Sequence, residues 1–146
     1  RVENIRIFRS SSKAAETRPA AAFSHRFRQV QGVSERFAFI VPRVSSERRE
    51  FLPIGLLPEG SIVADSAFAL YDAPLWNISL LASRMHLVWI ATICGQLETR
   101  LRYSNTMGWN TFPVPMLTEK NKADLMRCAE DILLAREAHF PATIAD

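Results

Sequence analysis

The sequence predicts an α+β fold, with antiparallel strands packed on a long buried helix and an amphipathic helix at the C-terminal end. Three observations carry this expectation. Short runs rich in Phe, Ile and Val, separated by turn signals, fill residues 36–71. From Pro74 to Cys94 apolar residues recur at helical spacing. A second helical pattern follows Thr118. With 146 residues, 48% of them apolar, the chain has material for one core, in one domain or part of one.

Residues 1–32 are basic and weakly periodic. Arg1, Arg6, Arg9, Lys13 and Arg18 recur without an apolar face beside them, Ser10-Ser-Ser signals a loop, and Pro19 disfavours helix at Arg18. A linker or short helices packing on something outside the chain are expected, with Phe23, Phe27 and Val30 as one small apolar face. Arg36 to Val44 reads as a first strand and Glu50 to Leu57 as a second, with Ser45-Ser-Glu-Arg as the turn between them. After the Pro58-Glu-Gly turn, Ser61 to Tyr71 reads as a third strand, with Ile62, Ala64 and Phe68 among its apolar positions.

Pro74 then opens the long helix. Asp72 is placed to cap it and Gly95 to end it, while Leu75, Ile78, Leu81, Met85, Val88 and Trp89 mark its apolar stripe. Leu97 to Tyr103 should be extended and Ser104-Asn-Thr-Met-Gly a turn. Phe112-Pro-Val-Pro must stay extended, because each proline restricts itself and the residue before it. Thr118 caps a last helix running to about His139, with Leu125, Cys128, Ile132 and Ala135 on one face.

Several function classes find little support. Arg84 and His86 interrupt the best apolar run, so no membrane span is expected. The chain opens on Arg1 without a cleavable hydrophobic leader, and is read as a piece of a longer cytoplasmic protein. Cys94 and Cys128 sit in apolar helical patterns and read as buried thiols in a reducing compartment. Asn77-Ile-Ser is a glycosylation sequon that nothing else supports. His25, His86 and His139 lack the spacing of a metal site, and His86 reads as a packed, hydrogen-bonded helix residue. There is no nucleophile elbow, no glycine-rich cofactor loop and no Asp/Asn-Pro-Pro-Tyr/Phe tetrapeptide. Catalytic, cofactor-binding and metal residues are accordingly expected to be absent.

Charge is unevenly spread. Residues 1–50 carry eleven Lys or Arg against five Asp or Glu, and residues 51–146 seven against ten, for a net charge of +3. A basic N-terminal third suits a polyanion partner, although a solvated surface would give the same count. Between Gln96 and Pro115 the chain concentrates Glu98, Arg100, Arg102, Tyr103, Ser104, Asn105 and Asn110, side chains able to bond base edges and phosphates.

Three ordered motifs carry a family resemblance. Arg102-Tyr-Ser followed by Trp109-Asn-Thr-Phe-Pro-Val-Pro resembles the Arg-Tyr-Ser … Tyr-Asn-Asn/Thr-Phe-Pro-Trp-Pro signature of the MmeI-like DNA methyltransferases, the type IIL restriction-modification proteins. Pro42-Arg-Val-Ser-Ser-Glu-Arg-Arg-Glu-Phe-Leu-Pro resembles that family's Pro-x-Val-Ser-Ser-Glu-Arg-Arg-x-Tyr/Phe-Ile-Pro segment. Leu80 to Gly95 resembles its Leu-x-Ser-x-Met-His-x-x-Trp-x-x-x-Val-Cys-Gly helix. Trp109 and Val114 depart from the usual Tyr and Trp but keep apolar bulk.

The resemblance implies a target recognition domain at residues 33–116, between a basic linker at 1–32 and a helical segment at 117–146. It implies double-stranded DNA as one partner and the methyltransferase core of the same parent chain as another. S-adenosylmethionine would serve that parent and not this part of it. The parent would be an adenine-specific methyltransferase, with or without a fused endonuclease.

Glu98 and Arg100 are two apart, which on a strand places both on one face and Leu97, Thr99 and Leu101 on the other. Arginine donates twice to guanine and glutamate accepts from the cytosine amino group, so one pair can read a G·C base pair. Spacing alone fits an exposed ion pair better. The resemblance favours base reading, because the family's two residues just before Arg-Tyr-Ser vary with the recognised base. It also places a base-facing pair at Asp65 and Ser66, here in the third strand, with Arg43 a weaker candidate of the same kind. Ser45, Ser46, Arg48 and Arg49, in a turn, and Arg102 and Ser104 are the expected phosphate ligands, although a charged, solvated hairpin turn has the same composition. A protein-interaction module docking an acidic protein surface is the alternative function.

Overall fold

In the computed structural model, which describes residues 1–26 and 32–142, a strand rich in Phe and Ile organises the main body. Strand β1 (Phe37–Pro42) pairs antiparallel with β3 (Gly55–Pro58) on one side and β4 (Ala67–Tyr71) on the other. Phe39 and Val41 are buried against the helices. One residue, Arg43, separates β1 from β2 (Val44–Ser45), which joins a second small sheet of order β2–β6–β5 with β5 (Gln96–Leu97) and β6 (Arg100–Arg102). The chain divides into two compact units, Arg1–Val33 and Ser34–Asp146.

The first unit contains helix α1 (Val2–Ser10) and a 3-10 turn, Pro19–Phe23. Three of its arginines are engaged internally. Arg9 donates to the carbonyls of Ala20, Phe23 and Arg26 at 3.0, 3.1 and 2.9 Å. Arg18 donates to the Ser12 carbonyl, and Arg6 pairs with Glu3. Phe23 is exposed, while Phe27 and Val30 lie outside the described residues.

The expected second and third strands are shorter than the sequence suggested. Residues 50–54 form no ladder, although Leu52 and Ile54 are buried. Their apolar alternation therefore reflects core contact without strand pairing. The third strand starts at Ala67, because Ala67 N–H turns back to the Ala64 carbonyl and makes Asp65 and Ser66 the tip of a turn. Ile62 is exposed.

The single long helix is two helices. Helix α2 covers Asn77–Leu81 and α3 covers Arg84–Ile93. Ser83 is extended (φ −70°, ψ 150°), and its hydroxyl accepts from His86 N–H, so it starts a new helix instead of continuing the old one. Ile78 and Leu81 of the expected stripe are buried in α2, but Met85 and Val88 are exposed in α3, where His86 and Ile90 face the core instead, because the break at Ser83 resets the helical phase.

Asp72 does not cap this segment. It has a left-handed backbone (φ 50°), and its carboxylate accepts from the amides of Glu35, Arg36 and Phe37 at the start of β1. The Glu35 and Arg36 amides are the main cause holding its pKa below the usual carboxylate value. Cys94, in extended conformation, ends α3 in place of Gly95.

Helix α4 (Glu119–Ala138) has the expected Thr118 cap, completed by Asn121 in a reciprocal capping box. Its inward face is centred on Ala129, Ile132 and Leu133. Leu125 is half-buried, whereas Cys128 and Ala135 are exposed, so only Cys94 of the two thiols is buried. Arg136 ties the helix to the body by donating to the Ile54 carbonyl at 2.7 Å. Among the described residues no helix is long and apolar enough to cross a membrane, and no His/Cys/Asp/Glu group could hold a metal ion.

Candidate nucleic-acid interface

The two small sheets meet at Arg43. Its N–H donates to the Ser66 carbonyl at 3.1 Å, beside β4, and its carbonyl accepts from the Tyr103 N–H at 2.8 Å, beyond β6. The base-facing candidates Asp65 and Ser66, read far from Arg43 in sequence, are thereby brought next to it. Both are exposed, and they occupy a turn where a strand was expected. The Arg43 guanidinium lies 4.7 Å above the Phe68 ring, a cation–π contact that steers a long side chain. Phe68, unremarked among the candidate residues, thus supports one of them.

In β6, Arg100 and Arg102 are exposed while Leu101 between them is buried, the alternation a half-buried strand requires. Val44 lies opposite Arg102 and Ser45 opposite Leu101. Ser45 therefore faces the core with Leu101. Its hydroxyl is buried without a partner, so in this conformation it cannot meet a phosphate. Ser46 uses its hydroxyl and carbonyl to close the turn, accepting from the amides of Arg48 and Arg49. Arg48 is exposed and Arg49 half-buried.

Arg43, Arg102 and Ser104, with Phe68, Gly95 and Tyr103, line a cleft of about 290 Å³. Two expected phosphate ligands and one expected base reader thus share a single concavity. The Ser104 hydroxyl also caps the next segment, a wide turn over Asn105–Trp109, by accepting from Met107 N–H.

Glu98 and Arg100 do not stand together on a flat strand face. Leu97 pairs with Arg100, leaving Glu98-Thr99 as a two-residue hairpin loop. Glu98 has φ 58° and accepts from Arg100 Nη2 at 2.8 Å. Leu97 is 44% exposed, so only Leu101 anchors this hairpin in the core. The pair still projects outward, from a tip instead of a strand.

Behind the cleft, His86 is fully buried. Its Nε2 lies 3.2 Å from the Tyr103 hydroxyl, and its ring packs edge-on against Trp109 and Phe112. Burial pushes its pKa down to about 4 and raises that of Tyr103 above its ordinary value. The packed reading of His86 holds. Tyr103 is likewise buried, so its hydroxyl serves the core and not a phosphate. The ring partners of His86, Trp109 and Phe112, come from the Trp-Asn-Thr-Phe-Pro motif, which was the available signal for this cluster.

The family pattern of the MmeI target recognition domain matches residues 1–116. The chain is 32% identical over 137 residues to DNA methyltransferase A of Bacillus subtilis (strain 168), covering 94% of this chain and 16% of that protein. It is also similar to the type IIL restriction-modification enzyme MmeI, whose structure was solved in complex with DNA. There the TM-score is 0.86 at 30% identity, over 99% of this chain and 19% of that one. The chain belongs to the MmeI target recognition domain family. It spans less than a fifth of the length of either relative.

Proposed function

We propose that this chain recognises duplex DNA in a sequence-dependent way, as the target recognition domain of an adenine-specific DNA methyltransferase of a restriction-modification system. The observation that carries this is the likeness over 99% of the chain to an enzyme solved with DNA, taken with the arginines gathered where the two sheets join.

In this reading Glu98 and Arg100 meet base edges from the hairpin tip, and Arg43, Asp65 and Ser66 do so from the joint. Ser46, Arg48, Arg49, Arg102 and Ser104 hold phosphates and set the register of the protein on the duplex. Methyl transfer belongs to the core of the parent chain, which would flip an adenine out of the duplex and use S-adenosylmethionine. That core is the expected intramolecular partner, and the parent works in the cytoplasm. The residues described here supply recognition and no chemical step.

The test is selection from a pool of randomised duplexes with the purified chain, followed by affinity measurements at several salt concentrations. A shared enriched sequence, with affinity that falls as salt rises, is the expected result. Binding that ignores both sequence and salt would overturn the reading.

A further inference from the structure

The base-facing candidates are carried at the ends of two different sheets. Arg43 joins the two sheets, with Asp65 and Ser66 beside it at the start of β4, whereas Glu98 and Arg100 belong to the β5–β6 hairpin. For both groups to fit one duplex, the sheets must be held at a fixed spacing, and Tyr103 stands where they join. Its amide donates to the Arg43 carbonyl at 2.8 Å. Its ring packs 5.8 Å from Phe68, which also carries the Arg43 guanidinium. Its hydroxyl reaches His86 on α3 at 3.2 Å.

The direction of that last bond follows from the burial of both groups. Were His86 Nε2 to donate, both the Tyr103 hydroxyl proton and the Nδ1 lone pair would be buried unpaired. If Tyr103 donates instead, only Nδ1–H is left, and Nδ1 has no conventional partner. The His86 and Phe112 rings pack nearly perpendicular, with centroids 4.6 Å apart. His86 is therefore a neutral acceptor that fixes where the Tyr103 ring stands.

We propose that Tyr103, held by His86, is the positioning residue that sets the spacing between the two groups of base-facing side chains, so that this buried hydrogen bond governs sequence discrimination without touching DNA. The inference rests on the DNA-recognition reading above. It assigns specificity to a contact behind the cleft, and makes the two halves of the reading surface one unit.

The experiment uses the whole 146-residue chain, a pool of randomised duplexes, and Tyr103→Phe, His86→Gln and His86→Leu. The measured quantity is the affinity ratio between the best duplex and its single-base variants, with thermal melting recorded alongside. Tyr103→Phe keeps the ring and removes only the hydroxyl. It should lower the ratio by about fivefold, the worth of one ordinary hydrogen bond, and leave affinity for unrelated duplexes unchanged. His86→Gln offers the hydroxyl a new acceptor and should keep most of the ratio, whereas His86→Leu should lose it.

A purely structural role would lower the melting temperature of these variants without moving the ratio. A folded Tyr103→Phe chain with an undiminished ratio would overturn the inference, and so would Gln and Leu at position 86 giving the same ratio. The two His86 variants decide the matter where Tyr103→Phe does not fold. If the unmodified chain enriches no duplex at all, the DNA reading falls and takes this inference with it.

Discussion

Glu98 accepts a hydrogen bond from Arg100 across the tip of the β5–β6 hairpin, at 2.8 Å, from a backbone in the left-handed region at φ 58°. Hairpin loops of two residues ordinarily place Gly there, or Asn or Asp whose short side chains bond locally, because other side chains with a Cβ cost about 1–2 kcal/mol in that conformation. The ion pair does not offset this. Its side chains are 76% and 46% exposed, and such pairs contribute less than about 1 kcal/mol. A glutamate retained at a strained tip suits a role outside folding.

Replacing Glu98 by Gly should therefore separate the two roles. The hairpin should be no less stable, by up to about 1 kcal/mol of relieved strain, while the preferred sequence degenerates at one base pair. Chemical unfolding and duplex selection on the same variant check this. A clear loss of stability would show that the carboxylate supports the fold.

Exchanging both partners, Glu98→Lys with Arg100→Asp, reverses donor and acceptor at the tip. The preferred base at one position should change, and a good bidentate contact discriminates by about 1–3 kcal/mol. Each single exchange should mostly lose discrimination. A double variant that selects the original sequence unchanged would leave the pair as a surface ion pair.

Arg48→Ala with Arg49→Ala should weaken binding about equally on unrelated duplexes. It should also reduce the slope of log affinity against log salt by about 2, as two lost phosphate contacts do. Titrations on two duplexes at four salt concentrations measure it. An unchanged slope would mean that these side chains do not meet phosphate.

Gly108 lies where a methyl group would overlap Ile90 Cδ1 and come within 3.3 Å of Cys94 Sγ. Gly108→Ala should destabilise by about 1–3 kcal/mol through overpacking. Gly95→Ala meets nothing within 4 Å and should change stability by less than about 0.5 kcal/mol. Denaturant unfolding of the two variants side by side tests the contrast.

His86 gives stability a pH dependence. The unfolded chain binds a proton at this residue near pH 6.5, and the folded chain only near 4. Between those values the unfolded state holds more protons, so the contribution of this residue is full above pH 6.5. It is progressively lost as pH falls towards 4, by up to roughly 3 kcal/mol. Urea unfolding at pH 7, 5.5 and 4.5 should show a steeper decline for the unmodified chain than for His86→Gln.

Local chemistry was legible in the sequence wherever cause and effect lay a few residues apart. Thr118 announced the start of α4, and the Phe-, Ile- and Val-rich run from Arg36 to Val44 announced β1. Periodicity did not reveal the break at Ser83, because helices on both sides bury residues in one core. Asp72 was misread as a cap because the amides it serves lie 35 to 37 residues earlier in the chain. At the candidate site, exposure of Glu98 and Arg100 was foreseen, but nothing local marks a glutamate for a left-handed tip. Ser45 was assigned outward because its turn was drawn one residue too early, and pairing opposite Leu101 sends it inward.

The single residue between β1 and β2 has a consequence for how this part of the chain can change length. Adding or deleting one residue at Arg43 would shift β2 against β6 by one position, turning Ser45 outward and Val44 inward. The loop at residues 59–66 joins strands without sharing a ladder, so extra residues there cost only slowly growing closure entropy. Length variation should therefore be tolerated ahead of β4 and excluded at Arg43, where the count of residues sets the phase of the second sheet.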